Sequence, residues 1–369
     1  MKQNKAYKLR IYPNKEQEVL FQKTFGCCRF IYNQMLNDKI NHYKATNDML
    51  YTTPAQYKDT YEWLKEIDSL ALANVQLNLN SAYDRFFKDK KIGFPKFKSK
   101  HRSKKSYTTN NQKDNIRFIG GFIKLPKVGK VKIKLHRIIP DCWKLKSVTI
   151  SQSPTGKYYA SVLFEYENQV VEHTDTSKSV GLDFSMPELY VDSNGNQPNM
   201  PHYYRKAERR LAKAQRKLSK MHRKGVPQSH RYLKQKQHVA VLHEKVANQR
   251  KDFLHKQSRK LIDTYDYICI EDLDMKAMSK ALHFGKSVHD NGWGMFTDML
   301  EYKAKEACKH IIKIDKWYPS SQICHVCGVV DGPKPLNVRK WTCSACGTVL
   351  NRDINAAINI KDKGLSMVL

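Results

Sequence analysis

Residues 320–359 read SSQICHVCGVVDGPKPLNVRKWTCSACGTVLNRDINAAIN. They carry two CxxC pairs, Cys324/Cys327 and Cys343/Cys346, with fifteen residues between the pairs. That spacing is expected of a four-cysteine zinc site. Each CxxC turn brings two thiolates onto one ion, and the second pair completes the tetrahedron. Gly328 and Gly347, which follow the pairs, suit the tight turn of a zinc knuckle. With sulfur at all four positions, one structural Zn²⁺ is implied, with no open position for a substrate. Directly afterwards Asn351-Arg352-Asp353 opens a helical pattern. The knuckle would therefore hold an acid, Asp353, at the start of a helix.

The 369-residue chain has room for two or three domains. Its 66 Lys and Arg against 35 Asp and Glu give a formal net charge of +31. An excess of this size favours a polyanionic partner, with nucleic acid the first candidate. A membrane surface is the competitor, but no apolar run reaches spanning length. No signal peptide precedes the first lysines. Cys27, Cys28, Cys142, Cys269 and Cys308 sit in apolar or mixed contexts. They read as reduced, buried small residues of a cytoplasmic protein.

In chain order, residues 6–12 alternate like a strand, and a helix is expected from Asn14, with Phe21, Phe25, Cys28, Tyr32 and Met35 at helical spacing. Thr53-Pro54 predicts a second helix start, and Ser69 a third. Gln76 and Asn80 lie one turn apart on that third helix, where side-chain amides can read base edges or simply face water. The stretch 88–107 interleaves Lys96, Lys98 and Lys100 with Phe94 and Phe97. Cations neutralise phosphates and aromatic faces stack on bases, so these residues are nucleic-acid-binding candidates. From 115 to 166 the period becomes two, as in Val131/Ile133/Leu135 and Tyr158/Ala160/Val162/Phe164. This predicts antiparallel strands, closing into a small barrel with the first strand. Residues 203–262 predict a basic helical hairpin broken at Gly225-Val226-Pro227.

Three acids stand out. Asp183 ends the apolar run Val180-Gly181-Leu182, Glu271 ends Tyr267-Ile268-Cys269-Ile270, and Asp353 lies on the final helix. The element order around them suits an RNase H-like core. Carboxylates brought together there repel unless a cation neutralises them, and Mg²⁺ or Mn²⁺ is suited to oxygen donors. Such a pair of ions can hydrolyse a phosphodiester. Asp272 and Asp274 are read as ordinary solvated acids.

Together these motifs resemble the TnpB (OrfB) family of insertion-sequence RNA-guided nucleases, which are related to type V CRISPR effectors. The resemblance spans nearly the whole chain. It rests on GFPKFKSK (93–100), VGLDF (180–184), NQRKDFLHK (248–256), IEDL (270–273), DNGWGMF (290–296) and the paired CxxC followed by DINAAIN. It implies an α/β RuvC-like nuclease core (173–319 and 349–369) interrupted by a zinc ribbon (320–348). It also implies a wedge β-barrel (1–13 and 112–172) carrying an inserted helical recognition domain (14–111). Asp183, Glu271 and Asp353 become the nuclease acids. A guide RNA and double-stranded target DNA become the partners, with cleavage beside a short target-adjacent motif and no membrane or small-molecule substrate. One departure stands in the first acid motif: the family often has glycine two residues after the acid, and this chain has Ser185. An RNA-guided repressor without cleavage and a strand-transferring transposase are the competing expectations.

Overall fold

The computed structural model describes residues 2–89, 91–168, 175–281, 285, 290–335 and 337–368. The chain forms two compact units, Met1–Asn168 and Gln169–Leu369. The expected boundary at 172/173 lies within 169–174, outside the described residues.

In the first unit seven strands form one antiparallel sheet. They are β1 (Lys2–Tyr12), β2 (Lys105–Asn110), β3 (Arg117–Ile119), β4 (Phe122–Leu125), β5 (Gly129–Lys134), β6 (Lys144–Gln152) and β7 (Tyr158–Glu167). The order is β2-β6-β7-β1-β5-β4-β3. The period-two pattern maps onto it: Leu9, Ile11, Val131, Ile133, Val148, Ile150, Ala160, Val162 and Phe164 all point into one core. Two expectations need correction. Among the described residues the sheet is an open half-barrel with β2 and β3 at its edges, not a closed barrel. In addition, β2 falls inside the stretch 14–111 assigned to the helical module. Its sequence KSYTTN turns only Tyr107 and Thr109 inward, so it has almost no apolar alternation to detect.

Pro13 ends β1, and Asn14 starts α1 (Lys15–Thr46) with a reciprocal capping box: Gln17 N donates to Asn14 Oδ1 at 2.8 Å and Asn14 N to Gln17 Oε1 at 3.1 Å. The helix expected at Thr53-Pro54 is only a 3₁₀ turn, Pro54–Gln56, followed by the single-turn α2 (Tyr57–Thr60). The third helix, α3 (Ser69–Lys88), is capped by Asp68 rather than Ser69, through Leu70 N at 3.1 Å. The other Asp68 oxygen accepts the Thr109 hydroxyl, joining α3 to β2.

The second unit is built on four strands, β8 (Ser179–Ser185), β9 (Leu189–Asp192), β10 (Tyr267–Glu271) and β11 (His310–Ile314), in the order β11-β10-β8-β9. β8, β10 and β11 run parallel, and β9 is antiparallel to β8. The parallel strands are near-continuous apolar runs because helices cover both faces. Even-numbered Val180, Leu182, Ile268 and Ile270 pack on Phe253 and Leu254 of α5 (His230–Thr264) and on Trp293 and Phe296 of α7 (Trp293–Ala307). Odd-numbered Tyr267 and Cys269 face the opposite way, toward Ile360 of the last helix, α8 (Arg352–Leu365). Before α5 comes α4 (Tyr203–Met221), and the two form the expected hairpin around Leu211, Ala214, Val239, Leu242 and Val246. A short helix Met275–Ala281, α6, precedes α7. Asp274 caps it through Lys276 N and Ala277 N at 2.9 and 3.0 Å, which accounts for that acid structurally. Among the described residues no helix is long and apolar enough to cross a membrane.

The final helix lies directly on the sheet backbone. A Cβ at Gly181 would collide with the Ala357 carbonyl oxygen and lie 2.7 Å from Lys361 N. A Cβ at Gly364 would collide with the Cys269 sulfur and come within 2.8 Å of its Cβ. Gly181→Ala is therefore expected to cost about 1–3 kcal/mol, because backbone atoms cannot rotate away as a side chain would. Urea unfolding measures it.

A second stability prediction concerns Lys303 on α7, which is 4 % exposed. Its ammonium donates to His255 O at 2.8 Å and Ser258 Oγ at 2.7 Å on α5. Burial lowers its pKa from 10.5 to about 8. Below pH 8 the folded and unfolded chains both carry the proton, and the burial cost is present in full. Between pH 8 and 10.5 only the unfolded chain keeps it, so this group makes stability rise with pH. Lys303→Met should flatten the rise by up to about 1.4 kcal/mol per pH unit. Urea titrations across that window, compared with wild type, test it.

Candidate active site and metal centre

The sheet parity places two of the three acids. β8 and β10 pair in parallel with Leu182 opposite Ile270. One step further on, Asp183 and Glu271 come side by side at the carboxyl ends of neighbouring strands, on the α8 face. Asp353 lies in the first turn of α8, four residues before the Ala357 that sits on Gly181. It shares that sheet-facing stripe, since residues four apart stack along one helix face. The departure at Ser185 does not disturb this arrangement. Ser185 continues β8 opposite Leu189 of β9, and Asn291 Nδ2 donates to its carbonyl at 2.9 Å.

Asp183 feels the other two carboxylates. Asp183 has its pKa raised well above the usual carboxylate value, first by burial, then by the charges of Glu271 and Asp353; Arg352 and Arg339 act in the opposite sense. Glu271 is raised by burial, partly offset by the Ser320 hydroxyl, which donates to Oε1 at 2.7 Å. Asp353 is ion-paired: Arg339 Nη1 lies 3.0 and 3.1 Å from its two oxygens. This is a cluster of hard oxygen donors whose mutual repulsion a divalent cation would relieve. Among the described residues, the three acids do not form a group with donor atoms all within 4.8 Å of one another; the four cysteines do. One further buried acid nearby is spent on structure. Asp192 accepts Asn194 N, Asn196 N and Asn196 Nδ2, which closes the turn after β9.

The cysteine site is two copies of one turn. Gly328 N donates to Cys324 O at 2.8 Å and Gly347 N to Cys343 O at 3.0 Å, with φ of 75° and 71° at the glycines. The positive φ is the reason for glycine at both positions. Cys324 Sγ lies 3.7 Å from Cys346 Sγ, and Cys327 Sγ 3.6 Å from Cys343 Sγ. Sulfurs about 2.3 Å from one tetrahedral centre sit roughly 3.8 Å apart, so the set fits zinc. The hairpin β12 (Lys340–Thr342) and β13 (Val349–Asn351) carries the second knuckle, with Trp341 and Leu350 packed against Cys324 and Cys343.

Asparagines join this ribbon to the acids. Asn351 caps α8, accepting Asp353 N and Ile354 N at 3.0 and 3.2 Å. Asn355 Oδ1 accepts His325 N, inside the first knuckle, at 3.0 Å. Asn355 Nδ2 and Asn359 Nδ2 each donate to Ile323 O at 2.7 Å, and Asn359 Nδ2 also reaches Ser320 O at 2.8 Å. Ser320, Arg339, Asn355 and Asn359 were not singled out from sequence. The only signal was the recurrence of Asn at 351, 355 and 359, four residues apart.

The nucleic-acid candidates divide. Lys96, Lys100 and Asn80 are exposed, and Gln76 is half-buried on α3. Phe94 and Phe97 are both exposed, and Phe94 also packs edge-on against Tyr83 and Phe86 at 5.5 and 5.4 Å. Lys98 is turned to the fold: its ammonium sits 3.7 Å from the Tyr32 ring centroid, and its backbone is clamped by Asn33 at 2.7 and 2.9 Å. Of the remaining cysteines, Cys27, Cys28 and Cys269 are buried as expected, Cys308 is half-buried, and Cys142 is exposed.

Comparison with known proteins adds the family. Residues 161–282 match the model described as "Probable transposase" (OrfB_IS605), and 293–360 match "Cas12f1-like, TNB domain". A "Putative RNA-guided DNA endonuclease" of Streptomyces pristinaespiralis is 33 % identical over 98 % of this chain and 90 % of its own length. The "Putative RNA-guided DNA endonuclease InsQ" of Escherichia coli K12 is 30 % identical over 99 % of this chain and 93 % of its own. The solved Cas12f1–sgRNA–target DNA complex contains a chain that superposes with a TM-score of 0.62 at 13 % identity, covering 98 % of this chain and 99 % of that one, a likeness of fold. The chain belongs to the TnpB (OrfB) family of insertion-sequence proteins.

Proposed function

We propose that this protein is the RNA-guided DNA endonuclease of a transposable element, with a RuvC-like active site made by Asp183, Glu271 and Asp353. The observation that carries the reading is the convergence of these acids. Three separate segments bring carboxylates to one end of a parallel sheet, where Glu271 and Asp353 each raise the cost of ionising the buried Asp183. A structural core gains nothing from such repulsion, whereas a site for divalent cations needs it.

Asp183 and Glu271 would hold Mg²⁺ or Mn²⁺ with Asp353. Bound there, the ions supply an activated water and charge neutralisation at the leaving 3′ oxygen of a phosphodiester. The chain's own work is placement. Strand pairing fixes Asp183 beside Glu271, Ser320 orients Glu271, and the Asn351 cap and Arg339 hold Asp353. The four-cysteine ribbon carries zinc as a structural ion that anchors Arg339 and the start of α8. Target sequence is read by pairing of a guide RNA with DNA, while the protein reads a short adjacent duplex motif and holds backbones by charge. Gln76, Asn80, Phe94 and Phe97 remain candidates for those contacts. A repressor that binds without cutting would lack one or more acids, and all three are present.

The reading is tested by paired assays of binding and cleavage with guide RNA and target duplex. Alanine at Asp183, Glu271 or Asp353 should lower cleavage by roughly three orders of magnitude, and the double variants should fall little further because the acids act as a unit. Guide-dependent DNA binding should persist. Wild-type cutting by Asp183→Ala would show the site to be misassigned, and strand transfer in place of hydrolysis would favour a transposase.

The basic segment gives a second test. Lys96→Ala with Lys100→Ala should reduce the salt dependence of nucleic-acid binding by about 0.9 log units per lost duplex-phosphate contact. Lys98→Ala should instead lower the stability of the first unit, since it removes the cation from Tyr32. Salt titrations and thermal melts of the two variants separate the roles.

A further inference from the structure

We propose that Ser320 is a positioning residue for Glu271, through which the zinc ribbon sets the geometry of the acid site. The inference rests on the assignment of Glu271 as a cation ligand. Ser320 is 6 % exposed. Its hydroxyl has one proton to give, and that proton goes to Glu271 Oε1 at 2.7 Å. One carboxylate oxygen is thereby pinned and the other, Oε2, is left for a cation. Partners of this kind around a metal ligand fix its orientation, and their loss costs binding.

The rest of Ser320 is held without the hydroxyl. Its N–H donates to Tyr318 O at 2.8 Å, and its carbonyl accepts Asn359 Nδ2 at 2.8 Å. The same Asn359 amide and that of Asn355 both hold Ile323 O, the residue before the first zinc-site cysteine. The loop is thus anchored by backbone groups on α8 and on the knuckle. Only the hydroxyl reaches across to β10. A side chain needed merely to hold the ribbon would bond to the ribbon or to α8. This one bonds to the acid on the opposite element. The path is short: knuckle, asparagine pair, serine backbone, serine hydroxyl, carboxylate.

The test uses the zinc-loaded full chain without nucleic acid and Mn²⁺ as the probe, with binding followed by electron paramagnetic resonance. Ser320→Ala should weaken Mn²⁺ binding about tenfold, with zinc content and urea midpoint unchanged. Ser320→Thr, which keeps the hydroxyl, should recover most of the affinity. In a Glu271→Gln background, Ser320→Ala should have no further effect on Mn²⁺ binding, because the hydroxyl acts only through that carboxylate. In cleavage assays the Ser320→Ala defect should shrink as Mn²⁺ is raised. Wild-type Mn²⁺ affinity in Ser320→Ala, alongside weakened binding in Glu271→Gln, would overturn the positioning role and leave the acid site standing. Loss of zinc from Ser320→Ala would also overturn it, because the hydroxyl would then serve the ribbon. Unchanged Mn²⁺ binding in Glu271→Gln itself would instead remove the acid-site assignment on which the proposal rests.

Discussion

The contact between α8 and the backbone of β8 governs the second unit. At Gly181 the helix comes so near that any side chain would strike the Ala357 carbonyl, and Gly364 repeats the approach over Cys269. Two hydrogen atoms in place of side chains let a helix lie on strands at backbone distance. The consequences follow from periodicity. Odd residues of β8 and β10 face α8, so Asp183 and Glu271 face it; Asp353 shares the helix stripe with Ala357. An ordinary apolar interface at 181 would lift the helix away from the sheet and carry Asp353 with it. The glycine of VGLDF is thus as much a condition for the acid cluster as the aspartate two residues later.

Much of this was legible in the sequence because two signals are strong at short range. The paired CxxC spacing announces four converging sulfurs, and the structure closes them to 3.6 and 3.7 Å. Apolar runs ending in an acid mark buried parallel strands, and β8 and β10 are such strands. What stayed hidden depends on long-range partners. Arg339 looks like one more cation on a chain with 66 of them until it is found on Asp353. Ser320 is separated from Glu271 by 49 positions. The half-barrel was misjudged for a related reason: whether a curved sheet closes depends on whether its edge strands meet, and nothing local in KSYTTN or RFI fixes that. The placement of Lys98 is hidden as well, because charge alone does not distinguish an ammonium facing solvent from one lying over a tyrosine ring.

The zinc ribbon has a mechanical part in this arrangement beyond holding itself together. A small loop with two short strands has little core of its own; Trp341 and Leu350 pack against the cysteines. Metal binding in such a site is folding energy. The folded ribbon then presents Arg339 to Asp353 and, through Asn355 and Asn359, seats the loop that carries Ser320. Two of the three acids therefore have their orientation set by residues in or next to the ribbon, and the third, Asp183, is set by strand pairing. The charge on Arg339 and Arg352 also lessens the repulsion at Asp183.

The charge balance of the chain separates two tasks that conflict electrostatically. Holding nucleic acid requires positive surface, and the excess of +31 supplies it in exposed runs such as the segment around Lys96 and Lys100 and the α4–α5 hairpin. Cutting a phosphodiester requires carboxylates close to a phosphate, which they repel. The structure limits that repulsion by making the acidic site small and partly desolvated, with Arg339 and Arg352 at its border. The raised pKa values of Asp183 and Glu271, which disfavour their ionised forms, follow from the same burial. A divalent cation reverses both effects at once, since it favours the ionised carboxylates and offsets their charge toward phosphate. Charge that would oppose the substrate in the empty site becomes, with cations bound, the means of holding the chemistry in place. The acids can therefore be few and clustered while the binding charge is many and dispersed.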